Sequence, residues 1–219
     1  MGKNQTLVRR KIVKWYVEHG RRFPWRNTTD PYRILIAEIL LRRTTASAVS
    51  RVYNDFLSRF DSIEQLSRAR ESTIARKLGS LGLQSRRAHE LKRMALVINK
   101  THSGKVPKSQ EDLLALPGVG DYIASAVRNF AYGVPAPLVD GNVIHFISRV
   151  FGITFKGPTD SEAWEFMTDL GGKHQEAKLY WGIIDLVASI CLRQNPKCFD
   201  CPLSEVCLYF KGAISVEDT

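Results

Sequence analysis

The chain has 219 residues, of which 44% are hydrophobic and 25% are charged, which is ordinary for a soluble globular protein of one large domain or two small interlocked ones. No apolar run reaches the length of a membrane span, and the N-terminus lacks the apolar segment of a secretion signal. We therefore expect neither a membrane-spanning nor an exported protein but a cytoplasmic one, associated with the nucleoid if its source is prokaryotic.

The second global feature is an excess of basic residues. Thirty-two Lys and Arg against 22 Asp and Glu leave a net charge of +10, and the isoelectric point is about 9.6. Such a surplus predicts binding to a polyanion, with nucleic acid the first candidate. A solvated face of Lys and Arg gives the same composition, so the motifs have to decide.

Apolar residues recur at helical spacing along most of the chain. The opening segment stops at Gly20, and Asp30-Pro31 then predicts a capped helix with proline in its first position. That helix, PYRILIAEILLRRT, is apolar on most sides and is predicted to be central. Further helices are predicted at Ser47–Phe60, Glu71–Leu78, Arg86–Asn99, Glu111–Ala115, Asp121–Ala131, Val143–Phe151, Ser161–Leu170 and Lys178–Ser189. Short connectors carry Gly or Pro and no strand alternation persists, so the predicted fold class is all-α.

All four cysteines lie in one seventeen-residue stretch, with six, two and five residues between them: Cys191, Cys198, Cys201 and Cys207. Thiolates so close in sequence can converge on one soft metal or cluster without a long loop closure. Two disulfides would require a secreted protein, and zinc usually pairs two C-x-x-C knuckles where this chain has one. The spacing favours an iron–sulfur cluster held by four cysteines.

Two glycine-containing motifs lie in the second half of the chain. The segment LPGVG, which ends at Gly120, separates two predicted helices, and a tight turn there would present backbone N–H groups that can bind a phosphate. Glycines that merely end a helix give the same pattern. Twenty residues later comes VDGNV, in which Asp140 precedes a predicted helix. Taken alone, this position favours an ordinary helix cap.

Together these motifs resemble the helix–hairpin–helix DNA glycosylases of the endonuclease III superfamily. The resemblance covers nearly the whole chain and is carried by FPW, AEILLRRT, LGL, LPGVG, VDGNV and the four cysteines, in that order. It implies two all-α lobes with DNA held in a cleft between them, and cleavage of the bond between a base and its sugar. Residues 23–133 would form a six-helix barrel domain with the helix-hairpin-helix, and residues 1–22 and 134–219 the iron-sulfur cluster domain, with a [4Fe-4S] cluster as cofactor.

The resemblance assigns catalytic roles to three residues. Asp140 matches the essential aspartate, whose carboxylate stabilises an oxocarbenium-like transition state and can orient the attacking water. Tyr122 stands where enzymes that also nick the backbone carry a Schiff-base lysine, so a monofunctional enzyme is expected. Tyr122 would line the base pocket or merely pack. Glu38 matches the glutamate with which adenine-DNA glycosylases protonate the base, the alternative being a surface ion pair with Arg42.

The resemblance also predicts which residues bind DNA. They comprise a plug and wedge, the glycines of the hairpin, and basic residues along one helix: Arg42, Arg43, Leu83, Gly118, Gly120, Arg86 and Arg87. Leu83 would hold the strand open beside the extruded base, unless it is a buried loop leucine. Arg86 and Arg87 would contact the phosphate backbone, unless they belong to a solvated helix face. The cluster would present Arg193 and Lys197 to the same backbone.

The substrate prediction depends on the branch of the superfamily. FPWR, VDGNV and Glu38 favour the mismatch and adenine branch, whose adenine enzymes carry an extra C-terminal domain, whereas this sequence ends twelve residues after Cys207. The predicted function is therefore monofunctional removal of thymine or uracil opposite guanine from double-stranded DNA, by a monomer. The alternatives are an adenine-DNA glycosylase acting on A·G or A·8-oxoguanine pairs and a non-catalytic DNA-binding protein.

Overall fold

The computed structural model describes residues 3–79 and 81–217 of the chain, which are mostly helical, with no β-strand among them. Ser80, in the predicted connector GSLGL, lies outside the described residues. The predicted all-α class is confirmed. In chain order the α-helices are α1 (Lys3–His19), α2 (Pro31–Leu41), α3 (Ala46–Arg59), α4 (Ile63–Arg68), α5 (Glu71–Lys77), α6 (Gln84–Thr101), α7 (Gln110–Leu114), α8 (Asp121–Phe130), α9 (Gly141–Phe151), α10 (Ser161–Gly171), α11 (Ala177–Ser189) and α12 (Leu208–Glu217).

The chain divides into two units, which are named here by their place in the sequence. The central unit is Arg22–Val134, and the terminal unit combines Met1–Arg21 with Pro135–Thr219. The division falls inside the Gly133–Pro137 turn. Whether these units are the barrel domain and the cluster domain stays a prediction.

Helix α2 forms the centre of the central unit. The carboxylate of Asp30 caps it by accepting the backbone N–H groups of Tyr32 (2.8 Å) and Arg33 (3.1 Å), and Pro31 occupies the first position. Every residue from Ile34 to Leu40 is buried, and the helix packs against α3 and α8. Both the capped start and the central position of this helix were predictable, because the cap and the apolar run are local signals.

The predicted end of α2 is wrong by three residues. The helix stops at Leu41 rather than Thr44, and Arg43 adopts a left-handed backbone with a φ of 52°. Two helices were also absent from the prediction, α4 and α12. The first carries a recognisable start signal, since Ser62 accepts the N–H of Gln65 as in a capping box.

The terminal unit packs α1 against α10 and α11, and α9 against α11 and α12. Buried Asp185 on α11 accepts the Arg21 backbone N–H at 2.7 Å and two guanidinium N–H groups of Arg21, each at 2.8 Å. This ion pair fixes the chain just after α1. None of the described helices has the length and hydropathy needed to cross a membrane. The cytoplasmic location and the monomeric state stay predictions.

Candidate active site

Two neighbouring turns of the central unit carry residues in a left-handed backbone conformation. Arg43 lies just after α2 with a φ of 52°, and Leu83 lies just before α6 with a φ of 54°. The left-handed region costs a residue with a side chain about 1 to 2 kcal/mol, and such strain concentrates at functional sites. The Leu83 side chain is 61% exposed, so the alternative of a buried loop leucine is wrong.

These two turns enclose a cavity of about 150 Å³, which gathers most of the predicted DNA-contacting residues of the central unit. It is lined by Ile39, Arg42, Arg43, Leu83, Arg86, Arg87 and Glu90. Glu90 was not predicted to be part of the site. Its carboxylate accepts Arg86 Nε at 3.0 Å and Arg42 Nη1 at 3.2 Å, so it holds two cations beside the cavity. The i, i+4 spacing of Arg86 and Glu90 was the signal that could have identified it.

The prediction that Arg87 binds the phosphate backbone is not supported by its environment. The side chain is buried, and its guanidinium donates to five acceptors: Gly82 O, Ile39 O, Leu40 O, Arg42 O and Thr44 Oγ1, at 2.6–3.4 Å. A guanidinium has five N–H donors, so all of them are used. Burial lowers the pKa of Arg87, and the neighbouring Arg42 guanidinium lowers it further. Arg87 therefore stabilises the end of α2, which explains why that helix stops early.

The LPGVG segment forms the turn between α7 and α8. Gly118 has a φ of 80°, where a side chain would be strained and would also approach Arg42 Nη1. Arg42 donates to the Gly118 carbonyl at 3.3 Å, so the turn is linked to one of the residues predicted to bind DNA. Gly120 precedes α8 in an extended conformation, and the first N–H groups of α8 have no acceptor within their own helix.

Glu38 and Tyr122 lie on two helices that pack against each other, α2 and α8. Glu38 is only 6% exposed, in the middle of the apolar face of α2. The alternative of a surface ion pair with Arg42 is therefore wrong, because Glu38 is not at the surface. Tyr122 is half-buried in the first turn of α8. A buried carboxylate requires a polar partner or a function.

Asp140, in the terminal unit, caps helix α9. Its Oδ1 accepts the N–H groups of Asn142 (2.9 Å) and Val143 (2.8 Å), and its Oδ2 accepts the Asn142 side-chain amide at 2.9 Å. Burial raises the pKa of the Asp140 carboxyl, while these hydrogen bonds and the Arg193 guanidinium lower it. A carboxylate oxygen accepts two hydrogen bonds, so Oδ2 keeps one acceptor position for another group. The cap and a catalytic role are therefore compatible.

Arg193 was predicted to face the phosphate backbone. In the structure it donates to the carbonyl of Gly141 at 3.2 Å, beside Asp140. It follows Cys191 by two residues, so the cysteine-bearing segment is linked to the start of α9. The sequence did not indicate this contact, because 52 residues separate the two partners.

The four cysteines line one cavity together with residues of α9, α11 and α12. Within residues 3–79 and 81–217, no group of three or more His, Cys, Asp or Glu side chains is arranged to hold a single metal ion. Burial raises the pKa of the Cys191 and Cys198 thiols and brings that of Cys201 to about 11. A bound cationic centre would deprotonate the thiols that it binds. Four thiols that line one cavity are the type of donor set that a thiolate-held cluster requires.

Comparison with known proteins identifies the family. Residues 36–170 match the model of the HhH-GPD superfamily base excision DNA repair proteins. The chain belongs to this superfamily. It is 41% identical to a thymine-DNA glycosylase of Aeropyrum pernix over 94% of this chain and 95% of the relative. It is 38% identical to a thymine/uracil-DNA glycosylase of Methanothermobacter thermautotrophicus over 95% of each chain.

Further matches are a longer relative and two solved structures. An adenine DNA glycosylase of Buchnera aphidicola is 30% identical over 90% of this chain but only 56% of the relative. The solved structure of a thermostable thymine-DNA glycosylase has a TM-score of 0.91 at 35% identity, covering 96% of this chain and 98% of that one. An endonuclease III in a non-covalent DNA complex has a TM-score of 0.83 at 22% identity. The all-helical fold is thus that of the endonuclease III-like glycosylases.

Proposed function

We propose that this protein is a monofunctional DNA glycosylase that hydrolyses the N-glycosidic bond of thymine or uracil mispaired with guanine. The observation that carries the proposal is near-full-length similarity, at about 40% identity, to proteins named thymine- and thymine/uracil-DNA glycosylases. A G·T mismatch pairs weakly, so the target base is cheaper to extrude from the duplex than a correctly paired one. This gives part of the selectivity before any contact to the base.

In the proposed reaction, Asp140 stabilises the positive charge that develops on the sugar as the base departs, and it orients the attacking water. Support comes from its fixed position at the cap of α9 and from the acceptor position that remains on Oδ2. Glu38 is proposed to hydrogen-bond the extruded base and assist its departure. Its burial in an otherwise apolar helix supports that role. Tyr122, which has no amine, is proposed to stack in the pocket.

We propose that the DNA is bound by the two turns that contain Arg43 and Leu83 and by the LPGVG hairpin between α7 and α8. Exposed Leu83 would fill the gap that the extruded base leaves, while Arg42 and Arg43 contact the opposite strand. The hairpin residues Gly118 and Gly120 would let backbone N–H groups approach a phosphate. Arg86 remains a candidate for a contact with the phosphate backbone of DNA because its side chain is exposed, whereas that of Arg87 is buried.

The four cysteines are proposed to hold a [4Fe-4S] cluster that folds the segment between Cys191 and Cys207. Hydrolysis needs no electron, so the cluster is proposed to be structural.

We expect protein purified without oxygen to contain about four iron and four acid-labile sulfide atoms per chain. Cys201→Ser should reduce both contents and lower the melting temperature. Stoichiometric zinc without sulfide would contradict this proposal.

Replacing Leu83 separates stability from activity. Asparagine tolerates the left-handed backbone better than leucine does, so Leu83→Asn is expected to keep or raise the free energy of unfolding by up to about 1 kcal/mol. The same change removes the apolar wedge and should lower the rate of base release from a G·T duplex. Thermal denaturation and single-turnover kinetics measure the two effects. A fall in stability with unchanged kinetics would assign Leu83 to packing rather than to insertion.

The proposed function is tested with end-labelled duplexes that each carry one site: G·T, G·U, A·G, A·8-oxoguanine or thymine glycol. Half of every sample is treated with alkali before denaturing electrophoresis. We expect strand cleavage at G·T and G·U only after alkali, because an enzyme without the lysine leaves an intact abasic site. Release of adenine alone would instead place the chain with the adenine enzymes. Tight binding without any cleavage would identify a non-catalytic DNA-binding protein.

A further inference from the structure

Arg87 connects two turns that are far apart in sequence. Its Nη2 donates to Arg42 O at 2.7 Å and to Thr44 Oγ1 at 2.6 Å, in the turn that follows α2. Its Nε donates to Gly82 O at 3.2 Å, in the turn that precedes α6. The remaining contacts are to the last carbonyls of α2, Ile39 O and Leu40 O. One rigid, planar group therefore fixes both turns at once.

The atoms that Arg87 holds adjoin the two strained residues. The Arg42 carbonyl immediately precedes Arg43, and the Gly82 carbonyl immediately precedes Leu83, and both following residues are left-handed. Such conformations persist only where the surrounding structure over-determines them. The hydrogen bonds from Arg87 supply that constraint, because they fix the peptide group on the N-terminal side of each strained residue. A lysine could not do so, since it has three donors on a flexible stem.

We propose that Arg87 is a positioning residue for base extrusion, which sets the Arg42–Arg43 turn and the Leu83 turn at a fixed separation so that both enter the duplex together. The inference rests on the proposed function, because it takes Leu83 and Arg42 as the inserting groups. It assigns Arg87 no contact with DNA. Arg86, its neighbour in sequence, is exposed and pairs with Glu90.

The test compares Arg87→Met, which keeps the length but removes every donor, with Arg87→Lys and Thr44→Val. Thr44→Val removes the acceptor of one Arg87 hydrogen bond and the hydroxyl that donates to Arg42 O at 3.3 Å. It should give the mildest form of the same defect if the methionine variant folds poorly. Tyr32→Phe is the matched control. Its buried hydroxyl donates to Phe60 O at 2.7 Å, so this change also removes a buried hydrogen bond, but at the opposite end of α2.

Amide hydrogen exchange of the free protein reports on the turns without any activity. We expect Arg87→Met to speed exchange by about 10-fold or more in peptides covering residues 42–44 and 81–84, but not in α7 or α8. On a G·T duplex, its single-turnover rate constant should fall about 100-fold, as expected for inserting groups displaced by about 1 Å. For Arg87→Lys, both the exchange rate and the single-turnover rate constant should lie between those of the wild type and those of Arg87→Met. Tyr32→Phe should change neither the exchange of these peptides nor the single-turnover rate constant, even if it lowers the melting temperature as much as Thr44→Val does.

Uniformly faster exchange across the central unit would overturn the proposal, because Arg87 would then only stabilise the fold. Loosened turns with an unchanged rate would overturn it as well. If the wild-type protein released no base from any mismatch, the proposed function would fail. The exchange measurement would in that case still decide whether Arg87 fixes the two turns.

Discussion

Asp140→Asn is expected to lower the single-turnover rate of base release by at least about 10³-fold while leaving DNA binding intact. The substitution removes the negative charge that would stabilise the oxocarbenium-like transition state and activate the water. It keeps an oxygen that can accept the N–H groups of Asn142 and Val143, so the cap of α9 survives. Duplex binding by electrophoretic mobility shift and alkali-revealed cleavage measure the two properties separately.

Asp160 provides the matched control for this variant. It caps α10 in the same unit by accepting the N–H of Glu162 at 3.1 Å, and α10 has the same length as α9. Asp160→Asn should therefore have a similarly small effect on the cap and no effect on base release. If both variants retained wild-type turnover, Asp140 would be a helix cap and nothing more.

The pH dependence follows from the raised pKa of the Asp140 carboxyl. In the proposed mechanism the ionised form is the active one, so the wild-type rate should fall as the pH is lowered, with a midpoint above the usual value of 3.8. Because the folded state binds this proton more tightly than the unfolded state does, the ionised carboxylate costs stability at neutral pH. Asp140→Asn removes that cost, so its melting temperature at neutral pH should not fall below that of the wild type.

Tyr122→Lys is expected to add a lyase activity, which the proposed function of the wild type does not include. An amine at this position can attack the sugar and form a Schiff base, which borohydride reduces to a stable protein–DNA complex. The position is half-buried, which favours the neutral, nucleophilic amine over the ammonium. Denaturing gels should show a trapped complex and strand cleavage without alkali for the variant, and neither for the wild type.

Asp121→Lys controls for the added positive charge. Asp121 is exposed at the first position of α8. The Asp121→Lys substitution should therefore strengthen DNA binding without producing a trapped complex. A complex trapped by the wild type would reveal a lyase amine elsewhere in the chain. Base release by Tyr122→Lys without any trapping would show that residue 122 does not face the sugar.

The sequence was sufficient wherever the signal was local. Asp30-Pro31 specified the start of α2, the clustering of Cys191, Cys198, Cys201 and Cys207 specified a shared thiol site, and Asp140 specified the cap of α9. Caps depend on hydrogen bonds to residues two or three positions away, so a few letters determine them. The order of the motifs along nearly the whole chain carried the resemblance to the superfamily.

Only the tertiary structure decided how these pieces are held. The end of α2 at Leu41, the burial of Arg87 and the ion pair of Glu90 with Arg42 were not readable from the chain. The burial of Arg87 argues against its predicted contact with DNA. Arg87 and the carbonyl of Arg42 are 45 positions apart. From sequence alone, an arginine on a helix rich in polar residues is predicted to be solvent-exposed. Its burial and its carbonyl partners depend on the packing of distant segments, so no single segment determines them.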